Sequence, residues 1–82
     1  MKIATFDSRG FQKVGVFVEN TLIDVDLLFE TLAHLTGKEF LEILTITDAI
    51  ENWEEVLQGL SKGKKIFGEK FTNLFGVKKP EL

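Results

Sequence analysis

The chain has no cysteine, and only one proline, one histidine, one tryptophan and one methionine among its 82 residues. The missing cysteines remove disulfides, thiolate metal sites and a cysteine nucleophile together. Their absence fits a reducing compartment. His34 has no second histidine and no cysteine with which to share a metal. A general base needs a positioned reacting partner, and none is identifiable for it. A partly exposed or locally hydrogen-bonded role is therefore expected. No run approaches the ~20 apolar residues of a membrane span. The N-terminus lacks the basic-then-apolar pattern of a secretory signal, because polar residues resume at Asp7. Cytoplasmic residence is the expectation. Internal repeats and low-complexity segments are also missing.

What is present is an ordinary globular composition, 44% hydrophobic and 28% charged, with eight phenylalanines. The length allows one domain, which buries only ~60–65% of its unfolded surface. Met1–Asp26 is the stretch around which the rest is organised. Ile3–Phe6 is β-prone and is followed by the polar cluster Asp7-Ser8-Arg9-Gly10. In Lys13–Val18, side chains alternate, so Val14, Val16 and Val18 share one face while Gly15 and Phe17 take the other. Glu19-Asn20 suits a tight hairpin. Leu22–Val25 is a third strand, with Ile23 and Val25 on one face. Short links between consecutive strands predict a three-stranded antiparallel meander over about residues 2–25.

At Met1-Lys2-Ile3-Ala4-Thr5-Phe6, Val14-Gly15-Val16 and Leu22-Ile23-Asp24-Val25-Asp26 the chain resembles the opening of the fumarylacetoacetate hydrolase (FAH) family. The match covers about the first third of the chain. The resemblance implies a small N-terminal domain that precedes a larger β-rich catalytic domain. That catalytic domain would bind a divalent metal, Mg²⁺ or Mn²⁺, through an E-x-E pair and a later Asp. It would act on acylpyruvates and related 2-keto acids. No E-x-E occurs in this sequence, so no catalytic, cofactor-binding or metal-binding residue carries over.

Beyond the strands, Asp24 and Asp26 form a D-x-D pair. Asp26 is placed to cap a helix over roughly 27–35, whose apolar face is Leu28, Leu32 and Leu35. Capping is preferred to a metal site for this pair. Gly37 is placed to end the helix. Thr36 and Glu39 have capping-box spacing, and Phe40, Leu41 and Leu44 suggest a short second helix. The β-branched run Thr45-Ile46-Thr47 predicts a break. Asp48 and Glu51 then open a third helix over about 49–60, which buries Ile50, Trp53, Val56 or Leu57, and Leu60. Trp53 is expected in the core rather than as a ligand platform. Glu51, Glu54 and Glu55 are expected on a solvated face. Ser61–Lys65 closes this helix. Gly59, Gly63 and Lys64 do not form a phosphate loop. Three residues separate the glycines where Walker A needs four, no Ser or Thr follows the lysine, and no strand precedes it.

Charge changes sign along the chain. Residues 1–60 hold four basic and eleven acidic side chains, a net of −7, and residues 61–82 hold six and two, a net of +4. Phe67, Phe71, Leu74 and Phe75 fall at helical spacing within the basic part and are the candidate partner or interdomain surface. Packing of this stripe on the sheet or the preceding helices is the alternative, and is preferred. Pro80 directs Lys79 out of helix. Residues 1–77 are read as one small α+β domain with three or four short helices after the sheet, and 78–82 as a frayed end or the start of a linker.

Three functions fit this pattern. The first is a non-catalytic accessory domain of a fumarylacetoacetate-hydrolase-like enzyme, whose partner is the catalytic domain of the same parent. The second is a freestanding protein-interaction module, with a homodimer possible. The third is a membrane-surface binder through residues 64–79. Nucleic acid is not an expected partner, because the chain is acidic and has no such motif. Catalysis by these 82 residues alone is not expected.

Overall fold

Two tight turns set the sheet. Arg9 and Gly10 (φ 52° and 83°), and again Glu19 and Asn20 (φ 50° and 69°), carry positive φ at consecutive positions. That backbone matches the twist of the strands on either side. The computed structural model describes residues 2–38 and 41–77. Three strands, β1 (Ile3–Ser8), β2 (Phe11–Val18) and β3 (Thr21–Asp24), lie in the order β1-β2-β3, each antiparallel to the next. The register opposes Ile3 to Val16, Ser8 to Phe11 and Val16 to Ile23. The fold is the expected α+β arrangement, with the strands running closer to their turns than Ile3–Phe6 and Lys13–Val18 suggested.

Helices follow: α1 (Val25–Thr36), α2 (Ile46–Glu51), α3 (Trp53–Phe67), a 3-10 turn (Gly68–Lys70) and α4 (Phe71–Phe75). One face of the sheet supplies Val14, Val16, Val18 and Ile23 to a core shared with Leu28, Phe29 and Leu32 of α1, Val56 and Leu60 of α3, and Phe71 and Phe75 of α4. The C-terminal part returns to the sheet. Gly76 bridges Ile23, and the Val77 N–H donates to the Leu22 carbonyl at 2.7 Å, so these residues lie along the outer edge of β3.

Several expectations are corrected. Asp24, not Asp26, caps α1, because its carboxylate accepts from the Leu27 N–H at 3.1 Å and the helix starts at Val25. The buried stripe is Val25, Leu28, Phe29 and Leu32, whereas Leu35 is exposed. Gly37 ends the helix as expected, its N–H donating to the Ala33 carbonyl. Thr36 is no cap. It belongs to α1, and its hydroxyl donates to the Leu32 carbonyl. Glu39 and Phe40 lie outside the described residues, as does 78–82. Residues 41–44 are not helical, and Ile43 points into the core while Leu41 and Leu44 face out.

The run Thr45-Ile46-Thr47 starts a helix rather than breaking one. Thr45 accepts from the Asp48 N–H while the Asp48 carboxylate accepts from the Thr45 N–H, a reciprocal capping box. The expected single helix over 49–60 is divided at Asn52 (φ −116°, ψ 34°). There both the backbone N–H and the side-chain amide of Asn52 donate to the Asp48 carbonyl. The backbone bond is the ordinary i→i−4 link, and the side-chain bond to the same carbonyl is the local kind that competes with continued helix. Ile50 is exposed, Trp53 packs against the core, and Val56 and Leu60 are buried.

α3 does not stop at Ser61–Lys65 but continues to Phe67. Gly59 and Gly63 lie on its buried face because other side chains occupy the space. A Cβ at 59 would collide with the Phe29 ring, and one at 63 would lie 2.6 Å from Phe71 Cε1 and 2.8 Å from Leu28 Cδ1. The turn after α3 is made at Gly68 (φ 54°, ψ −127°), a conformation that L side chains rarely adopt.

Candidate functional site

Alternation along β2 puts Phe11, Lys13, Gly15 and Phe17 on the face opposite the valines. On that face Leu22 folds over Gly15, where a Cβ would stand 2.7 Å from Leu22 Cδ1. Phe6 and Leu22 are buried but lie outside the main core. Lys13 reaches along this face to the end of β3. Its Nζ lies 2.7 Å from Asp24 Oδ2 and 3.8 Å from Asp26 Oδ2.

The D-x-D pair is thus organised around one lysine. Asp24 is the one buried charged side chain among the described residues, and both of its oxygens are used, Oδ1 for the helix cap and Oδ2 for Lys13. A buried carboxylate is tolerated when it is paired and hydrogen-bonded in this way. No group of three or more His, Cys, Asp or Glu converges among the described residues.

Beside this cluster lies an open groove of about 630 Å³ between the first hairpin and the start of α1. Its apolar wall is Phe11, Leu27 and Leu44, and its polar wall is Arg9, Lys13 and the two aspartates. Phe11 is 73% exposed and Leu44 59%, the first and third most exposed large hydrophobic residues among those described. Ser8 opposes Phe11 across the turn, so the ring stands at the tip of the hairpin with no cross-strand partner of its size.

The four candidate surface residues separate. Phe71 and Phe75 are buried, Phe67 is partly buried against the core, and Leu74 alone presents half of its area to solvent. Phe75 meets Phe67 edge-on at 5.2 Å and Phe71 at 5.6 Å between ring centroids. His34 is exposed on the last turn of α1, beside Glu30 and Lys38. Sequence reasoning missed Phe11, Leu27 and Leu44. The parity of β2 marks Phe11 as facing away from the valines, but nothing in the sequence brings Leu27 and Leu44 beside it.

Comparison of the chain with protein-family models, with curated proteins and with solved structures found no match. Among the described residues no helix is long and apolar enough to cross a membrane.

Proposed function

We propose that the chain is a docking module, and that its partner is a catalytic domain of the same parent protein. The observation that carries this reading is the groove at Phe11, Leu27 and Leu44. Exposed apolar residues rimmed by polar ones mark interaction surfaces. Within the rim Lys13 is paired closely with Asp24 at 2.7 Å and more loosely with Asp26 at 3.8 Å, and Arg9 has no ion pair among the described residues. A partner covering the groove would leave the Lys13–Asp24 pair intact and would have to offer polar groups to Arg9 and Asp26.

The residue resemblance at Met1–Phe6, Val14–Val16 and Leu22–Asp26 supports a particular form of the proposal, the N-terminal accessory domain of a fumarylacetoacetate-hydrolase-like enzyme of 2-keto acid metabolism, resident in the cytoplasm. The Mg²⁺ or Mn²⁺ of such an enzyme would be held in the other domain. Asp24 and Asp26 do not fit it as donors, since both face Lys13 and Asp24 also caps α1. The membrane-surface reading gains less support, because Phe71 and Phe75 are turned inward.

Intact mass of the native product tests this first. The expected product is several times heavier than the 9.3 kDa of this chain and carries the same N-terminus. A native product of 9.3 kDa would remove the accessory-domain reading. In the longer protein, Phe11→Ser with Leu44→Ser is expected to raise hydrogen exchange at the groove and on the facing domain. The stability of the 82-residue chain should change by no more than ~1 kcal/mol for the two together, as for exposed positions generally. Unchanged exchange in the full protein would place the docking surface elsewhere.

A further inference from the structure

The solvent face of α3 carries charges that no ion pair among the described residues uses. Glu54, Glu55, Leu57, Gln58, Ser61, Lys62, Lys64 and Lys65 are all exposed. The two acids lie at the start of the helix and the three lysines toward its end. Helical neighbours are three or four residues apart. No acid of α3 has a lysine at that spacing, so the helix cannot pair its own charges. Among the described residues the ion pairs are those of Lys13 with Asp24 and Asp26, and none involves α3.

The pattern is complementary to its own reverse. When α3 is laid antiparallel on a copy of itself with the crossing between Gly59 and Leu60, Glu54 faces Lys65 and Gln58 faces Ser61 along the middle of the contact, while Glu55 lies beside Lys62 on one flank and Leu57 beside Lys64 on the other. A rise of 1.5 Å per residue puts Glu54 and Lys65 about 8 Å on either side of the crossing, within reach of their long side chains. At the centre, Gln58 and Ser61 can exchange hydrogen bonds. The small Ser61 lets the helices approach to the usual ~8–10 Å. Leu57, 37% exposed, would lie along the aliphatic stem of Lys64 from the other copy. The two macrodipoles would also be opposed.

We infer that α3 is a self-recognition surface, and that its partner is α3 of a second copy of this chain in antiparallel orientation. Acids at the start and lysines at the end of a helix also suit its own macrodipole. That account requires no association, so the two differ in outcome. Exposed ion pairs are individually weak. Dimerisation is accordingly expected at high protein concentration and low salt, and should weaken on the order of tenfold as salt rises from about 20 mM to about 500 mM.

The test is sedimentation equilibrium of the 82-residue chain and two charge-reversed variants, Glu54→Lys/Glu55→Lys and Lys62→Glu/Lys65→Glu. Circular dichroism first establishes that each is folded. The unaltered chain should dimerise, each variant alone should be monomeric, and an equal mixture of the two should regain association. A monomeric parent chain at low salt and ~1 mM protein would overturn the inference. So would variants that still self-associate, or a mixture that stays monomeric.

Discussion

Gly59→Ala places two effects of known sign in opposition. Alanine is favoured over glycine in a helix interior by about 1 kcal/mol. The added methyl, however, enters space already held by the Phe29 ring, whose Cε1, Cδ1 and Cζ are the three nearest atoms. Overpacking a filled core costs about 1–3 kcal/mol. The overlap with Cε1 is severe, so the upper half of that range applies. The net expectation is a loss of about 1–2 kcal/mol, or a fall in Tm of roughly 5–15 °C for a domain of this size. Thermal and urea unfolding followed by circular dichroism measure it. A second variant isolates the cause. In a Phe29→Val background the same alanine should become neutral or stabilising, because the ring is gone, giving a coupling of about 2–3 kcal/mol. If Gly59→Ala alone raises stability, the helix gain has won and α1 and α3 are not held at glycine distance.

Two further substitutions test local devices. Asp24→Ala removes the cap of α1 and one side of the Lys13 pair, and should destabilise by about 1.5–3 kcal/mol by urea unfolding; a loss below ~0.5 kcal/mol would mean Asp26 substitutes for it. Thr45→Ala removes half of the capping box of α2 and should cost about 1 kcal/mol, seen as raised hydrogen exchange over Ile46–Glu51; unchanged exchange would show that packing of Ala49 alone holds this turn.

The sheet was legible because its determinants are local. Val14, Val16 and Val18 alternate, and Glu19-Asn20 is turn chemistry whatever lies elsewhere. α1 was legible in Leu28, Leu32 and its closing glycine, while its cap was misplaced by two residues and Leu35, expected in the stripe, is exposed. The second half was harder because distant residues decide it. Gly63 reads as a helix terminator until Phe71 and Leu28 are seen pressing on it. Asn52 carries no breaking signal comparable to Gly or Pro, yet its side chain and backbone both bind the Asp48 carbonyl. Leu41 and Leu44 have helical spacing, but Ile43 between them is the residue that reaches the core. The groove depended on three segments meeting, and only Phe11 announced its direction in the sequence.

The contact of residues 76 and 77 with β3 gives the order of synthesis a physical meaning. Ile23 leaves the ribosome long before Gly76, and until the later residues arrive the outer edge of β3 has no cover. The hairpins can form early, since their pairing is local, but closing that edge means joining segments far apart in sequence, and such contacts form slowly. An open strand edge is a template for other chains. During synthesis the nascent sheet therefore stays open at this edge until Gly76 and Val77 are in place.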